Sequence, residues 1–234
     1  MSSNAPAMVS DRSPFTVDAD DRTLVAASIL SADFGDLARD ATAAIDAGAA
    51  MLHIDVMDGH FAPNLSMGPV VCGALRRHLL EVCQDVHLMI DNPADRIESF
   101  AHAGADHLTV HIEVLDDPPA MAEAIRALGC TAGIAMNPAT DAQAVVEVAD
   151  AFDMVLVMSV VPGFSGQAFM PEVLEHVRAI RAHLGPAGHI QMDGGVSPAT
   201  AQACRDAGAN VLVSGSALFG SDDYAGVIGA MRSQ

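Results

Sequence analysis

An alternation of short apolar runs with helical patterns, repeated eight times, is the feature of this sequence that most restricts its fold. The apolar runs fall at 24–30, 50–56, 85–90, 106–112, 131–136, 153–160, 189–194 and 210–215. The segments between them have helical periodicity, as in DLARDATAAIDAGA and PEVLEHVRAIRAHLG, and several end in glycine, which suits the position after a helix. Strands that alternate with helices pair in parallel. Eight such units in about 210 residues predict one TIM-type (β/α)8 barrel.

A doubly wound open sheet is the alternative fold for this alternation. Against it, no G-x-G-x-x-G follows the first run, and eight complete units exceed what most open sheets contain. Hydrophobic residues make up 51% of the 234 residues, which is enough for one large core. Residues 1–22 are polar and have no periodicity, so we expect a flexible leader there and the barrel over residues 23–234.

The charged residues exclude several classes of function. The chain has 30 acidic and 11 basic residues, a net charge of −19, and all its basic residues are arginines. Nucleic-acid binding is disfavoured, because phosphate contacts need a basic face. A lysine Schiff base is chemically impossible, which excludes aldolases of that kind and decarboxylases that use an Asp/Lys arrangement.

Segment composition also bears on the cellular compartment. No apolar run reaches the roughly 18 residues of a membrane span, and no charged segment precedes an apolar one as in a signal peptide. The cysteines form no C-x-x-C pair, which argues against a thiolate metal site or a disulfide framework; they are Cys72, Cys83, Cys130 and Cys204. We therefore expect a cytoplasmic protein without a membrane partner.

Four polar residues interrupt the apolar runs where a barrel places its reactive groups. His53 and Asp55 lie two apart in the second run and so share one face of the strand; His87 is placed at the end of the third strand and Asp193 at the end of the seventh. Buried polar groups need partners. Two imidazoles and two carboxylates predict a site for one divalent cation, Zn²⁺, Fe²⁺, Mn²⁺ or Co²⁺. The alternative for any one of the histidines is a hydrogen-bonded residue of the core.

Glycine-rich segments follow the last three runs and predict an anion site. Backbone amides freed by glycine can hold a phosphate without a cationic side chain, and barrels usually do so after strands seven and eight. The segments are 162–167, 193–195 and 215–216. Each of them alone is more typical of a tight turn. Methionines near the strand ends are either core filler or the wall of the metal site; they are Met57, Met89 and Met158.

Six segments, in order along the chain, resemble the ribulose-phosphate 3-epimerase family. They are ASILSADF (27–34), HIDVMDGHFAPN (53–64), DVHLMI (85–90), VMSVVPGFSGQAFMPE (157–172), MDGGV (192–196) and SGSALF (214–219). The resemblance extends from Leu24 to the C-terminus. It implies a metal-dependent barrel of the ribulose-phosphate-binding type that inverts C3 of D-ribulose 5-phosphate through a cis-enediolate, giving D-xylulose 5-phosphate in the pentose phosphate pathway or the Calvin cycle.

The resemblance also implies a role for each matching residue. His53, Asp55, His87 and Asp193 would bind the metal, with Asp55 and Asp193 as proton acceptor and donor. The residues implied to contact substrate or its phosphate are Ser28, His87, Gly163, Phe164, Ser165, Gly166, Gly194, Gly195, Gly215 and Ser216. Met57, Met89 and Met158 would surround the reacting carbons.

Two positions depart from the pattern of the family. Ser165 stands where the family usually has glycine, and Val161 where it usually has Glu or Asn. Both bear on the choice of sugar, so 3-epimerisation of allulose 6-phosphate is the nearest alternative reaction, and a non-catalytic sugar-phosphate-binding barrel is a further one. The implied partner is a small sugar phosphate, and we expect the chain to form a homo-oligomer.

Overall fold

Eight parallel strands form a closed barrel in the order of the sequence. The computed structural model describes residues 10–17, 19 and 22–233. The strands are β1 (Leu24–Ser28), β2 (Met51–Met57), β3 (Cys83–Met89), β4 (His107–His111), β5 (Thr131–Met136), β6 (Met154–Met158), β7 (Ile190–Asp193) and β8 (Val211–Ser214). Pairing of β1 with β8, Ala26 opposite Val213, closes the barrel. The predicted TIM-type barrel is confirmed, and an open sheet is excluded.

Helices follow the strands and cover the outside of the barrel. They are α1 (Leu37–Asp46), α2 (Pro69–His78), α3 (Ile97–Ala103), α4 (Pro118–Ala127), α5 (Ala142–Val146), α6 (Leu174–Leu184), α7 (Pro198–Ala207), α8 (Ser216–Phe219) and α9 (Tyr224–Arg232). Helix α4 begins where the Asp117 carboxylate accepts from the amide of Ala120 and Pro118 fills the first position. Ala122 and Ile125, one turn apart, are its buried residues. Within the described part of the chain, none of these helices has the length and apolarity to cross a membrane.

Both faces of the strands are buried, which explains their nearly continuous apolar runs. In β2, Leu52 and Ile54 belong to the large core between the strands and the helices, whereas His53 and Asp55 alternate with them and face the barrel interior. The strands are shorter than some of the predicted runs. For example, β1 ends at Ser28, because the chain enters a 3-10 turn at Ile29–Ser31.

The segment before β1 packs against the barrel, which differs from the leader expected over residues 1–22. Its residues 1–9, 18, 20 and 21 lie outside the described residues. Phe15 is only 4% exposed and packs edge-on against the rings of His107 and His189, with centroids at 4.5 and 5.1 Å. Arg12 forms an ion pair with the buried Asp106 at 2.8 Å, and Ser13 hydrogen-bonds to Thr131 at 2.7 Å. Residues 10–17 are thus packed against the barrel, and no sequence pattern indicated it, because a single aromatic side chain has no periodicity.

Two arginines hold the C-terminal ends of helices through backbone carbonyls. Arg76 of α2 donates to the carbonyl oxygen of Gly104, the residue after α3, at 2.8 Å. Arg181 of α6 donates to that of Gly208, the residue after α7, also at 2.8 Å. A Cβ on either glycine would lie within 2.8 Å of the arginine stem, so the helix end and the side chain fit closely only with glycine. We call each pair an arginine–glycine clamp.

Candidate active site

Strands β2, β3 and β7 bring the four predicted metal ligands together. One nitrogen or oxygen atom of each of His53, Asp55, His87 and Asp193 lies within 4.8 Å of the others. The register explains the grouping, since Asp55 is opposite His87 on β3. One detail differs from the sequence prediction: His87 does not end its strand, because β3 continues to Met89.

Asp55 is the centre of this cluster. The hydroxyl of Ser28 donates to its Oδ2 at 2.7 Å. Its Oδ1 lies 3.3 Å from His53 Nε2 and 3.3 Å from His87 Nδ1. Asp193 Oδ2 approaches the same two nitrogens at 3.8 and 3.7 Å. Each histidine therefore presents one ring nitrogen to both carboxylates.

The arrangement fits a divalent metal ion. His53 Nε2 is buried and forms no hydrogen bond, although its other nitrogen, Nδ1, lies 2.8 Å from Asp85 Oδ2. When His53 is neutral and donates its Nδ1 proton to Asp85, the lone pair of Nε2 is directed into the cluster, so a metal ion there would take the place of a proton. Two imidazole nitrogens and two carboxylates are the mixed donor set that Zn²⁺, Fe²⁺, Mn²⁺ and Co²⁺ accept.

Burial and charge act in opposite directions on the acids and bases of the cluster. Burial raises the pKa of Asp55, but the charges of His53 and His87 and the hydrogen bond of His87 Nδ1 outweigh it and hold that pKa well below its usual range. Burial likewise lowers the pKa of His53, but the carboxylates of Asp85 and Asp55 outweigh it and raise that pKa. Asp55 is therefore ionised at neutral pH and able to accept a proton.

A second ring of polar residues supports the cluster, and sequence reasoning missed it. Asp85 accepts a hydrogen bond from Gln191 Nε2 at 2.7 Å, in addition to its contact with His53. On the other side, His111 and Glu113 continue from His87. The signal that could have found two of these residues is a spacing of two along the strand. Asp85 lies two residues before His87, and Gln191 two before Asp193, so each shares a strand face with a predicted ligand.

An open cavity lies against the cluster at the C-terminal ends of the strands. Apart from His53 and His87, which are fully buried, the predicted site residues line it: Ser28, Asp55, Met57, Met89, Met158, Gly163, Phe164, Ser165, Gly166, Asp193, Gly194, Gly195, Gly215 and Ser216. The three methionines contribute apolar side chains to this lining. Among the described residues that line this cavity there is no arginine.

The backbone comes close to itself at the glycines after β7. Gly195 has a φ of +63°, and a Cβ there would lie 2.6 Å from the amide nitrogen of Phe169. Gly194 has a φ of +111°, and its Cβ would meet Val160 at 2.5 Å. Side chains are excluded at both positions, and both glycines line the cavity.

The loop after β6 forms the rim of the cavity. Gln167 donates to the carbonyl oxygens of Val161 and Phe164, at 2.8 and 2.9 Å, and so closes this loop. Asn64, from the loop after β2, donates to the carbonyl oxygen of Gly163 at 2.8 Å and ties the two loops together. Phe164 remains 58% exposed.

This fold and site define a class, the (β/α)8 barrels with a metal-compatible His/Asp cluster at the C-terminal end of the strands. Residues 24–219 match a family model described as "Ribulose-phosphate 3 epimerase family". The chain is a member of that family. The predicted family is confirmed.

Curated relatives agree with this membership. A ribulose-phosphate 3-epimerase of Mycobacterium tuberculosis is 46% identical over 216 residues, which cover 90% of this chain and 92% of the relative. The Escherichia coli protein of the same name is 43% identical, covering 90% and 95%. A rice protein named as the cytoplasmic isoform is 44% identical, covering 89% and 92%.

Solved structures with lower identity share the fold. 3-Hexulose-6-phosphate synthase from Salmonella typhimurium matches with a TM-score of 0.60 at 19% identity, covering 90% of this chain and 96% of that one. A thiamine phosphate pyrophosphorylase from Pyrococcus furiosus matches with a TM-score of 0.62 at 18% identity, covering 90% and 93%. At this identity the likeness concerns the barrel alone.

Proposed function

We propose that this protein interconverts D-ribulose 5-phosphate and D-xylulose 5-phosphate by epimerisation at C3. The observation that carries the proposal is the pair Asp55 and Asp193, which come from separate strands and meet at one cavity and one histidine cluster. Inversion of a carbon by proton transfer needs one group on each face of the substrate. Family membership supports the same reaction.

His53, Asp55, His87 and Asp193 would hold one divalent cation, either Zn²⁺, Fe²⁺, Mn²⁺ or Co²⁺. When bound, such a cation stabilises the negative charge that develops on the oxygens of a cis-enediolate. The unpartnered Nε2 of His53 supports this assignment. Protonation of both histidines at low pH would compete with the metal.

The two aspartates divide the proton transfer between them. Asp55, held ionised by its histidine neighbours, removes the C3 proton from one face. Asp193, carrying a proton, delivers it to the opposite face, and the roles reverse for the opposite direction. One acid and one base are needed at the start, so the two carboxyl groups must differ in protonation.

The rest of the cavity binds and shields the substrate. The phosphate would accept hydrogen bonds from the backbone amides of Gly166, Gly195, Gly215 and Ser216, since arginine does not line the described cavity and lysine is absent from the chain. Ser28 would contact the sugar beside Asp55. Met57, Met89 and Met158 would exclude water from the reacting carbons.

Allulose 6-phosphate is the second candidate substrate. Val161 and Ser165, the two departures from the family pattern, are both exposed on the loop after β6. Ser165 lines the cavity, so its side chain would bear on which sugar fits. A homo-oligomeric state and a cytoplasmic location remain predictions from the sequence.

A coupled assay with both sugar phosphates, together with metal analysis of the purified protein, tests the proposal. We expect about one equivalent of divalent metal and a kcat/KM for ribulose 5-phosphate at least tenfold above that for allulose 6-phosphate. Asp55→Asn serves as the inactive control. Metal-loaded protein that turns over neither sugar would contradict the proposed function, and a higher kcat/KM for allulose 6-phosphate would favour the second candidate.

A further inference from the structure

A chain of hydrogen bonds leads away from the cluster through the far side of His87. Its Nδ1 faces Asp55 and Asp193, whereas its Nε2 lies 2.8 Å from His111 Nε2. The other nitrogen of His111, Nδ1, lies 3.0 Å from Glu113 Oε2. His87 and His111 are fully buried, and neither belongs to the lining of the cavity.

The geometry allows only one arrangement of protons along this chain when a metal is bound. A carboxylate oxygen can only accept, so His111 Nδ1 carries the proton that is donated to Glu113. His111 Nε2 then has a lone pair and accepts from His87 Nε2. His87 Nδ1 is left with a free lone pair, directed at the cluster. Each hydrogen bond thus fixes the next tautomer.

Glu113, the carboxylate that sets this order of tautomers, has hydrogen-bond partners at both oxygens. Glu113 Oε1 accepts from the backbone amide of Asn137 at 2.7 Å and from the hydroxyl of Thr140. The His111 ring lies between His87, whose ring plane is tilted by 20° from its own, and Phe61, whose ring centroid is 4.5 Å away. Neither the carboxylate nor the ring can turn away without losing these contacts.

We propose that Glu113 and His111 are positioning residues that set the metal affinity of the site by holding His87 in the tautomer whose Nδ1 can bind the ion. This inference rests on the proposed metal centre. His53 differs, because Asp85 contacts its ring directly. The two histidines of the cluster are therefore oriented in different ways. The carboxylate of Asp85 hydrogen-bonds directly to His53, whereas the carboxylate of Glu113 acts on His87 through the ring of His111.

Glu113→Gln is expected to exchange donor and acceptor at each hydrogen bond between residue 113 and His87. The backbone N–H of Asn137 can only donate, so the glutamine carbonyl turns towards it and the amide NH₂ faces His111 Nδ1. His111 must then accept at Nδ1 and carry its proton on Nε2, which makes His87 accept at Nε2 and protonates its Nδ1. We expect the Kd for Co²⁺, titrated into metal-free protein, to rise about 10- to 100-fold. Activity lost at limiting Co²⁺ should return as Co²⁺ is added in excess.

Thr140→Val is the matched control, because it removes a donor to the same carboxylate but leaves Glu113 and His111 in place. Its Kd for Co²⁺ should stay within about threefold of the wild-type value. A second measurement is independent of activity: ¹⁵N chemical shifts of the His111 ring in metal-free protein should report a proton on Nδ1 in the wild type and on Nε2 in Glu113→Gln.

The outcomes separate this inference from the metal site itself. A wild-type protein that binds no Co²⁺, Zn²⁺, Mn²⁺ or Fe²⁺ would overturn the metal centre. A wild type that binds Co²⁺, together with a folded Glu113→Gln variant of equal Kd, would overturn only the positioning role. If Glu113→Gln does not fold, His111→Asn replaces it, and an unchanged Kd in that variant would overturn the role in the same way.

Discussion

Replacing Phe15 with alanine tests whether the N-terminal segment is part of the folded barrel. The ring is 4% exposed and packs between His107 and His189 at the N-terminal end of the strands. A phenylalanine buries about 200 Å², which at about 25 cal/mol/Å² corresponds to about 5 kcal/mol as an upper bound. A compact unfolded state reduces this by roughly a tenth to two-fifths. We therefore expect Phe15→Ala to lower the free energy of unfolding by about 3–4.5 kcal/mol, within the range for such deletions.

Urea unfolding followed by circular dichroism measures this difference. Val17→Ala is the matched control, since Val17 belongs to the same segment but is 67% exposed, and its effect should be within about 0.5 kcal/mol. Because the cluster lies at the opposite end of the barrel, folded Phe15→Ala protein should keep its kcat/KM within about twofold. A loss of stability below about 1 kcal/mol would show that the burial of Phe15 contributes little to the stability of the barrel, which would refute this prediction.

Three further predictions concern the site. In deuterated water, metal-loaded Asp193→Asn should lose net epimerisation by about 10²-fold or more while Asp55 still exchanges the C3 proton of one epimer; a near wild-type rate would refute the two-base mechanism. Gly195→Ala forces a side chain into a φ of +63° and within 2.6 Å of Phe169, so the KM for the phosphorylated substrate should rise about tenfold, and an unchanged KM in a folded variant would contradict a phosphate site there. Burial raises the pKa of Glu113, but the hydrogen bonds from its neighbours, His111 first, outweigh burial and lower that pKa to about 2. The contribution of the ionised Glu113 to stability is therefore complete above pH 4.5 and is lost as the pH falls towards 2. The difference in unfolding free energy between wild type and Glu113→Gln should shrink over that interval, and a constant difference would refute it.

The barrel and the cluster could be predicted because they follow from short-range patterns. Eight apolar runs at regular spacing leave little choice of fold, and a histidine two residues before an aspartate within such a run must share its face. Asp193 could be placed because it lies one residue before the end of the seventh run. The convergence of three strands then follows from the barrel itself.

The supporting residues could not be recognised in the same way, because their roles depend on register and rotamer. His111 reaches His87 although Thr109, not His111, is its partner in the register of β3 and β4. Glu113 lies in a turn after β4, where a glutamate is usually a solvated residue. Phe15 lies in a segment without hydrophobic periodicity. Its contacts, His107 and His189, come together only when the barrel is closed.

The two arginine–glycine clamps occupy equivalent places in the first and second halves of the barrel. Arg76 and Gly104 belong to units two and three, and Arg181 and Gly208 to units six and seven, so each clamp is repeated after four β/α units. A further contact of this kind joins the two halves, since Arg232 of α9 donates to the carbonyl oxygen of Gly48, just after α1. A circular permutant opened in the loop between α4 and β5 would keep each clamp within one continuous segment, so we expect it to fold with both clamps formed.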